Sequence, residues 1–174
     1  MRLFRAEFPA RSTCLWHEHR RYTVYICVTE LVATEFRRDA VTPSELSLPR
    51  GSVFCRDHSQ APLIHAATTG DQDVVVVGIE RWHPTTVGEH SRPSVQFLGH
   101  MDRVKTLHSD TQCSVYEQDL TSDFPVMKLC VQAIDAVVVA LDACELIATT
   151  SDYRMEPSIY YSYLKASSHS HLHA

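Results

Sequence analysis

Charged and apolar residues intersperse from the start of the chain, and Arg2 to Phe8 predicts a first strand. Pro9, with Arg11 and Ser12, turns the chain into Cys14 to His19. Tyr22 to Val28 is an aromatic and β-branched run, the composition of a pleated, buried surface, and Leu31 to Phe36 follows as a neighbouring strand. Arg37 to Pro43 is a polar turn. Leu46 to Gly51 then leads into a strand over Ser52 to Arg56, with Gly51 where a tight turn needs positive φ. Pro62 to Ala67 predicts another strand, Thr68 to Asp73 a turn, and Val74 to Glu80 a buried closing strand. About seven short strands with hardly a helical period among them predict an all-β fold of the sandwich or barrel kind.

His83 to Pro93 is bracketed by prolines and has no apolar face, so it reads as a linker. This divides the chain into a domain at 1–82, a linker at 83–94 and a second domain at 95–174. Beyond the linker the pattern starts again. Glu30 to Thr34 recurs as Glu145 to Thr149, a displacement of 115 residues, and a β-branched run precedes each copy. Ser158 to Tyr161 can be laid on Ser52 to Cys55 at a displacement of 106, which also sets His171 on His65. An internal duplication is the expectation.

Composition narrows the function classes. Of 174 residues, 44 % are hydrophobic and 21 % charged, an ordinary globular balance, and the net charge of −5 has its signs interspersed. No basic face suggests a nucleic-acid partner, and no apolar run is long enough to span a bilayer, so the expected setting is cytoplasmic. The six cysteines, Cys14, Cys27, Cys55, Cys113, Cys130 and Cys144, show no CxxC pair and read as reduced strand residues. Neither a nucleophile elbow nor a glycine-rich phosphate loop is present.

The candidate chemistry lies in His17-Glu18-His19. Side chains alternate along a strand, so the two imidazoles point the same way, about 6–7 Å apart along the backbone, a metal-ligand spacing. His65, just before the valine-rich run, is a third ligand that a closed sheet would bring opposite the pair. Glu18 should face outward and pair with Arg20 or Arg21. Thr23 and Tyr25 share the histidine face by strict alternation and are the expected pocket-lining residues, whereas Trp16 is expected to pack outside. His58, His83, His90, His100 and His108 stand alone in turns, and the tail histidines His169, His171 and His173 read as a solvated terminus.

A His-x-His leading into a strand, a Pro-Arg-Gly turn at Pro49 to Gly51 and a Pro-x-x-His at Pro62 to His65 together resemble the cupin superfamily, and the repeat resembles a bicupin. The resemblance covers about Leu15 to Glu80 and, weakly, Ser114 to His171. It implies a double-stranded β-helix of the jelly-roll class in two tandem halves. It also implies one divalent transition metal on His17, His19 and His65: iron or zinc foremost, with nickel and copper also suited to neutral imidazole. The family's usual glutamate position is occupied by Thr23, a poor ligand. In the second half the matching positions are Gln132 and Ile134, so no metal is expected there, and that half is expected to be degenerate or incomplete.

Three functional readings follow. One is a dioxygenase or isomerase acting on a small polar molecule. The second is a non-catalytic binding or sensor module for a small-molecule ligand, similar to the sensing cupin halves of bacterial regulators. The third is a structural bicupin. An incomplete second barrel would leave an open sheet edge, so a homodimer is expected.

Overall fold

Alternation along the first 80 residues gives each strand one face to bury, and burying those faces against each other produces two antiparallel four-stranded sheets. The computed structural model describes residues 1–81, 94–98, 103–122, 128–132, 136–142 and 159–162. Regular structure there is strand, with no α-helix among the described residues. The first strands are β1 (Arg2–Phe8), β2 (His17–His19), β3 (Tyr22–Cys27), β4 (Leu31–Arg37), β5 (Ser44–Leu48), β6 (Val53–Asp57), β7 (Leu63–Thr69) and β8 (Val74–Glu80).

One sheet runs β1-β8-β3-β6 and the other β2-β7-β4-β5. The pairs are nested: β4 with β5, β3 with β6, β2 with β7 and β1 with β8. This is one long hairpin rolled over on itself, the strand order of a jelly roll.

Cys27, Leu31, Ala33, Val74 and Val76 form the buried core, with Phe8, Tyr25, Leu48 and Phe54 packed against it. Across the first sheet, Phe4, Gly78, Tyr25 and Phe54 are successive cross-strand partners on the inward face. The Phe4 ring lies in the space a Cβ on Gly78 would need, and the Tyr25 and Phe54 rings stack at 4.8 Å.

Local expectations meet the structure unevenly. β1 and β8 have the predicted bounds, and Gly51 adopts φ 83° at the expected turn. His17–His19 forms its own short strand, and β5 begins at Ser44 and runs to Leu48, taking in the start of the Leu46 to Gly51 segment read as a lead-in. Thr68 and Thr69 belong to β7 and not to the following turn. The Thr69 hydroxyl donates to the Pro9 carbonyl at 2.6 Å, and Thr68 bridges Thr13, so this end of β7 is fastened to the chain after β1.

All but the end residues Val104 and Gln118 of the hairpin of β10 (Val104–Ser109) and β11 (Ser114–Gln118) belong to the first of two units, which comprises Met1–Thr85 and Lys105–Glu117. The second comprises Thr86–Val104 and Gln118–Ala174. In it, β9 (Ser94–Leu98) pairs antiparallel with β12 (Lys128–Gln132), and β13 (Ala136–Val139) pairs with β14 (Ile159–Ser162). The last pair is parallel, whereas β3 and β6, its counterparts under the repeat alignment, run antiparallel. The linker at 83–93, the repeated Glu145 to Thr149, the cysteine Cys144, Ile134 and the histidines His83, His90, His100, His169, His171 and His173 lie outside the described residues. Among the described residues no helix is long and apolar enough to cross a membrane.

Candidate metal centre

The antiparallel register of β2 against β7 sets His17 opposite His65 and His19 opposite Leu63. Cross-strand partners share a face, so alternation within β2 and pairing with β7 gather three imidazoles in one place. Their ring centroids are 4.5 Å apart for His17 and His65, 4.9 Å for His17 and His19, and 5.1 Å for His19 and His65. One ligating nitrogen from each lies within 4.8 Å of the other two. Glu18 turns away, as expected, and accepts from Arg20 Nε at 2.7 Å.

Each Nδ1 is already engaged. His17 Nδ1 donates to the Leu15 carbonyl at 2.8 Å, since a carbonyl oxygen can only accept. His65 Nδ1 donates to Glu35 Oε1 at 2.8 Å, and His19 Nδ1 meets the Tyr25 hydroxyl at 3.1 Å. Nε2 is therefore the nitrogen each ring has left for a ligand. His65 Nε2 is buried and has no hydrogen-bond partner, a costly state for a polar atom unless something fills the space before it. A cation held by the three imidazoles would give that nitrogen a partner.

Electrostatics keep the His19 ring in the ligating form. Burial, with His65, His17 and His58 around it, lowers the His19 pKa to about 4, so the ring is neutral at physiological pH. Glu35 is only 3 % exposed. The hydrogen bond from His65, followed by the charge of Arg56, holds the Glu35 carboxyl down at about 2 against the opposing effect of burial. Arg56 Nη1 reaches the same Oε1 at 3.1 Å. A permanent carboxylate behind His65 orients the ring, the usual outer support of a metal-bound histidine.

Sequence reasoning missed Glu35, Arg56 and His58. Glu35 continues the inward row Leu31, Ala33, and a charged residue ending a core-facing row was the available signal. His58 read as an isolated turn residue. Instead, Asp57 Oδ1 caps the turn by accepting from Ser59 N at 2.9 Å, and the His58 ring sits 5.7 Å from that of His19. Its pKa is lowered, first by burial and then by Arg56. Arg37, Arg56, His58, Pro62 and Leu63 help to line a cavity of about 120 Å³ that adjoins the centre. Two of these residues, Arg37 and Leu63, are the cross-strand partners of His65 and His19.

Of the two residues expected to line a pocket, Tyr25 touches His19 as described. Thr23 is fully buried on the same face of β3, with its hydroxyl donating to the Arg21 carbonyl at 3.2 Å. Trp16, expected to pack, is 57 % exposed, next to Leu15 at 88 %.

No protein-family model and no curated protein matches the chain. Among solved structures, it is similar to a cupin domain from Bordetella pertussis Tohama I, at 22 % identity and a TM-score of 0.40, covering 45 % of this chain and 77 % of that one.

Proposed function

We propose that the first unit is a cupin-like metal-binding domain in which Nε2 of His17, His19 and His65 holds one divalent transition metal, iron or zinc foremost. The observation that carries this reading is the buried, unpartnered Nε2 of His65, whose Nδ1 is fixed by an ionised Glu35. When bound, such an ion would polarise an oxygen of a small polar molecule and, as iron, support oxygenation. The chain's own part is then to hold and orient that molecule. Arg37 is paired with Asp39 and Arg56 with Glu35, so the cavity wall offers polar donors with their charge largely balanced. His58 adds a buried Nε2 without a partner, able to receive or supply a hydrogen bond. Tyr25 fixes the His19 ring from the opposite sheet.

The same cavity supports a second reading, a non-catalytic binding or sensor module for a small polar ligand. The two-half bicupin arrangement and a cytoplasmic homodimer belong to this proposal as well. The deciding test is metal content by plasma mass spectrometry of untagged protein purified without chelators, beside a His17→Ala/His65→Ala variant. Near one equivalent of a single metal, lost in the variant, supports the centre and justifies oxygen-uptake and isomerisation screens. A metal-free parent that binds small molecules saturably would replace the metal reading with the sensor one.

A further inference from the structure

We propose that Cys55, His108 and Cys113 form a second metal site, distinct from the histidine centre, which takes zinc and fastens the β10–β11 hairpin to the outer face of the first sheet. In β6, Phe54 and Arg56 point inward, toward Tyr25 and Glu35, so alternation directs Cys55 to the opposite face. His108 lies in β10, and Cys113 immediately precedes β11. All three belong to the first unit.

One donor atom from each of Cys55, His108 and Cys113 lies within 4.8 Å of the other two, and all three residues are half-buried. Both cysteines are free thiols. Scattered along the sequence they form no motif, and His108 read as an isolated residue; the fold corrects that reading by bringing the three together. A tetrahedral zinc with bonds of about 2.0–2.3 Å would hold such donors roughly 3.3–3.8 Å apart, a closure that side-chain rotation can supply.

Two further groups stiffen the cluster. The Tyr22 hydroxyl, from β3, lies 3.3 Å from Cys113 Sγ and 3.2 Å from His108 Nε2, and donates to Asp110 Oδ2 at 2.7 Å. Asp110 Oδ1 accepts from the backbone N–H of Gln112 at 2.6 Å and of Cys113 at 2.8 Å, shaping the hairpin turn. Its Oδ2 stands 2.9 Å from His108 Nε2 and offers an oxygen for a fourth position. Two thiolates, an imidazole and an oxygen form a donor set that suits zinc, and a third convergent ligand is more than a disulfide between the cysteines would require.

The test is a cobalt(II) titration of the full-length, metal-stripped wild-type protein, followed by zinc. The expected result is a thiolate-to-cobalt charge-transfer band that saturates within two equivalents in the wild type, where the histidine centre also takes cobalt, and bleaches on adding zinc. It persists in the His17→Ala/His65→Ala variant, where it saturates at one. Cys55→Ser/Cys113→Ser should lose the band, and His108→Ala should shift or weaken it. Absence of the band in folded, reduced wild-type protein overturns the proposal. So does an intact mass two hydrogens low with no titratable thiol at these positions, which would make the pair a disulfide. Because the wild-type titration is decisive, a variant that fails to fold leaves the outcome unaffected.

Discussion

Glu35 Oε1 accepts the Nδ1 proton of His65 at 2.8 Å, so a carboxylate on β4 determines which nitrogen of a histidine on β7 is presented to His17 and His19. Replacing Glu35 with Gln keeps an acceptor but removes the charge. Metal affinity should fall roughly 10–100-fold while the three histidines remain in place, measured by competition with a chromophoric chelator. Unchanged affinity would mean that Glu35 serves the fold alone.

Tyr25→Phe removes the hydroxyl that meets His19 Nδ1 and leaves the stacked ring on Phe54. We expect a weaker metal complex, by a few-fold, with thermal stability changed by no more than about 1 kcal/mol. A loss of fold would show that the hydroxyl matters to the core more than to the site.

Acid should weaken the metal-free protein in two successive steps. His19 titrates at about 4 when folded against an ordinary 6.5, so between those values the unfolded chain takes up a proton that the folded chain refuses. Stability therefore falls as pH drops from 6.5 to 4. Glu35 titrates at about 2 against an ordinary 4.5, so its contribution is complete above pH 4.5 and is lost as pH falls toward 2. Each step is worth at most about 3 kcal/mol. Urea midpoints from pH 7 to pH 3 measure both, and His19→Phe should shrink the upper one, leaving the part that His58, whose pKa is also lowered, contributes. A flat profile down to pH 4 would refute the assignment.

Gly78 leaves room on the sheet for the Phe4 ring, which lies where a Cβ would stand. Gly78→Ala should displace that ring at a cost of about 1–2 kcal/mol. In the double variant with Phe4→Ala the two effects should be less than additive, a coupling that denaturation of all four proteins would measure. A stabilised Gly78→Ala protein would contradict the packing.

The legible parts of this molecule are those that short-range alternation controls. β1 and β8 appear in the sequence with their true bounds because each is an uninterrupted pattern between clear turn residues. His17 and His19 announce a shared face for the same reason. Their meeting with His65 depends on the register of β2 against β7, which the chemistry of His-x-His suggests but does not specify. Glu35 was hidden because a charged residue at the end of a strand looks solvated until its partners, His65 and Arg56, are known. His58, His108 and Cys113 sit in or beside turns, where no periodicity says which way a side chain points. Cys55 lies in β6, where alternation gives its face but not its partners, and only the rolled hairpin brings them to their neighbours.

The nested pairing also has a kinetic consequence. Glu35 and Ser44 pair across a short loop, whereas Arg2 meets Glu80, 78 positions along the chain. Loop-closure entropy then favours an order of assembly from the β4–β5 hairpin outward, with β1 and β8 joining last and folding slow, on the order of milliseconds to seconds. Pulse-labelled hydrogen exchange should protect β4 and β5 before β1; simultaneous protection would refute that order. The histidine centre closes at the third of the four nested steps. On this route a metal ion bound there would meet a nearly finished sandwich, and its arrival would lock the roll after the chain has chosen its topology.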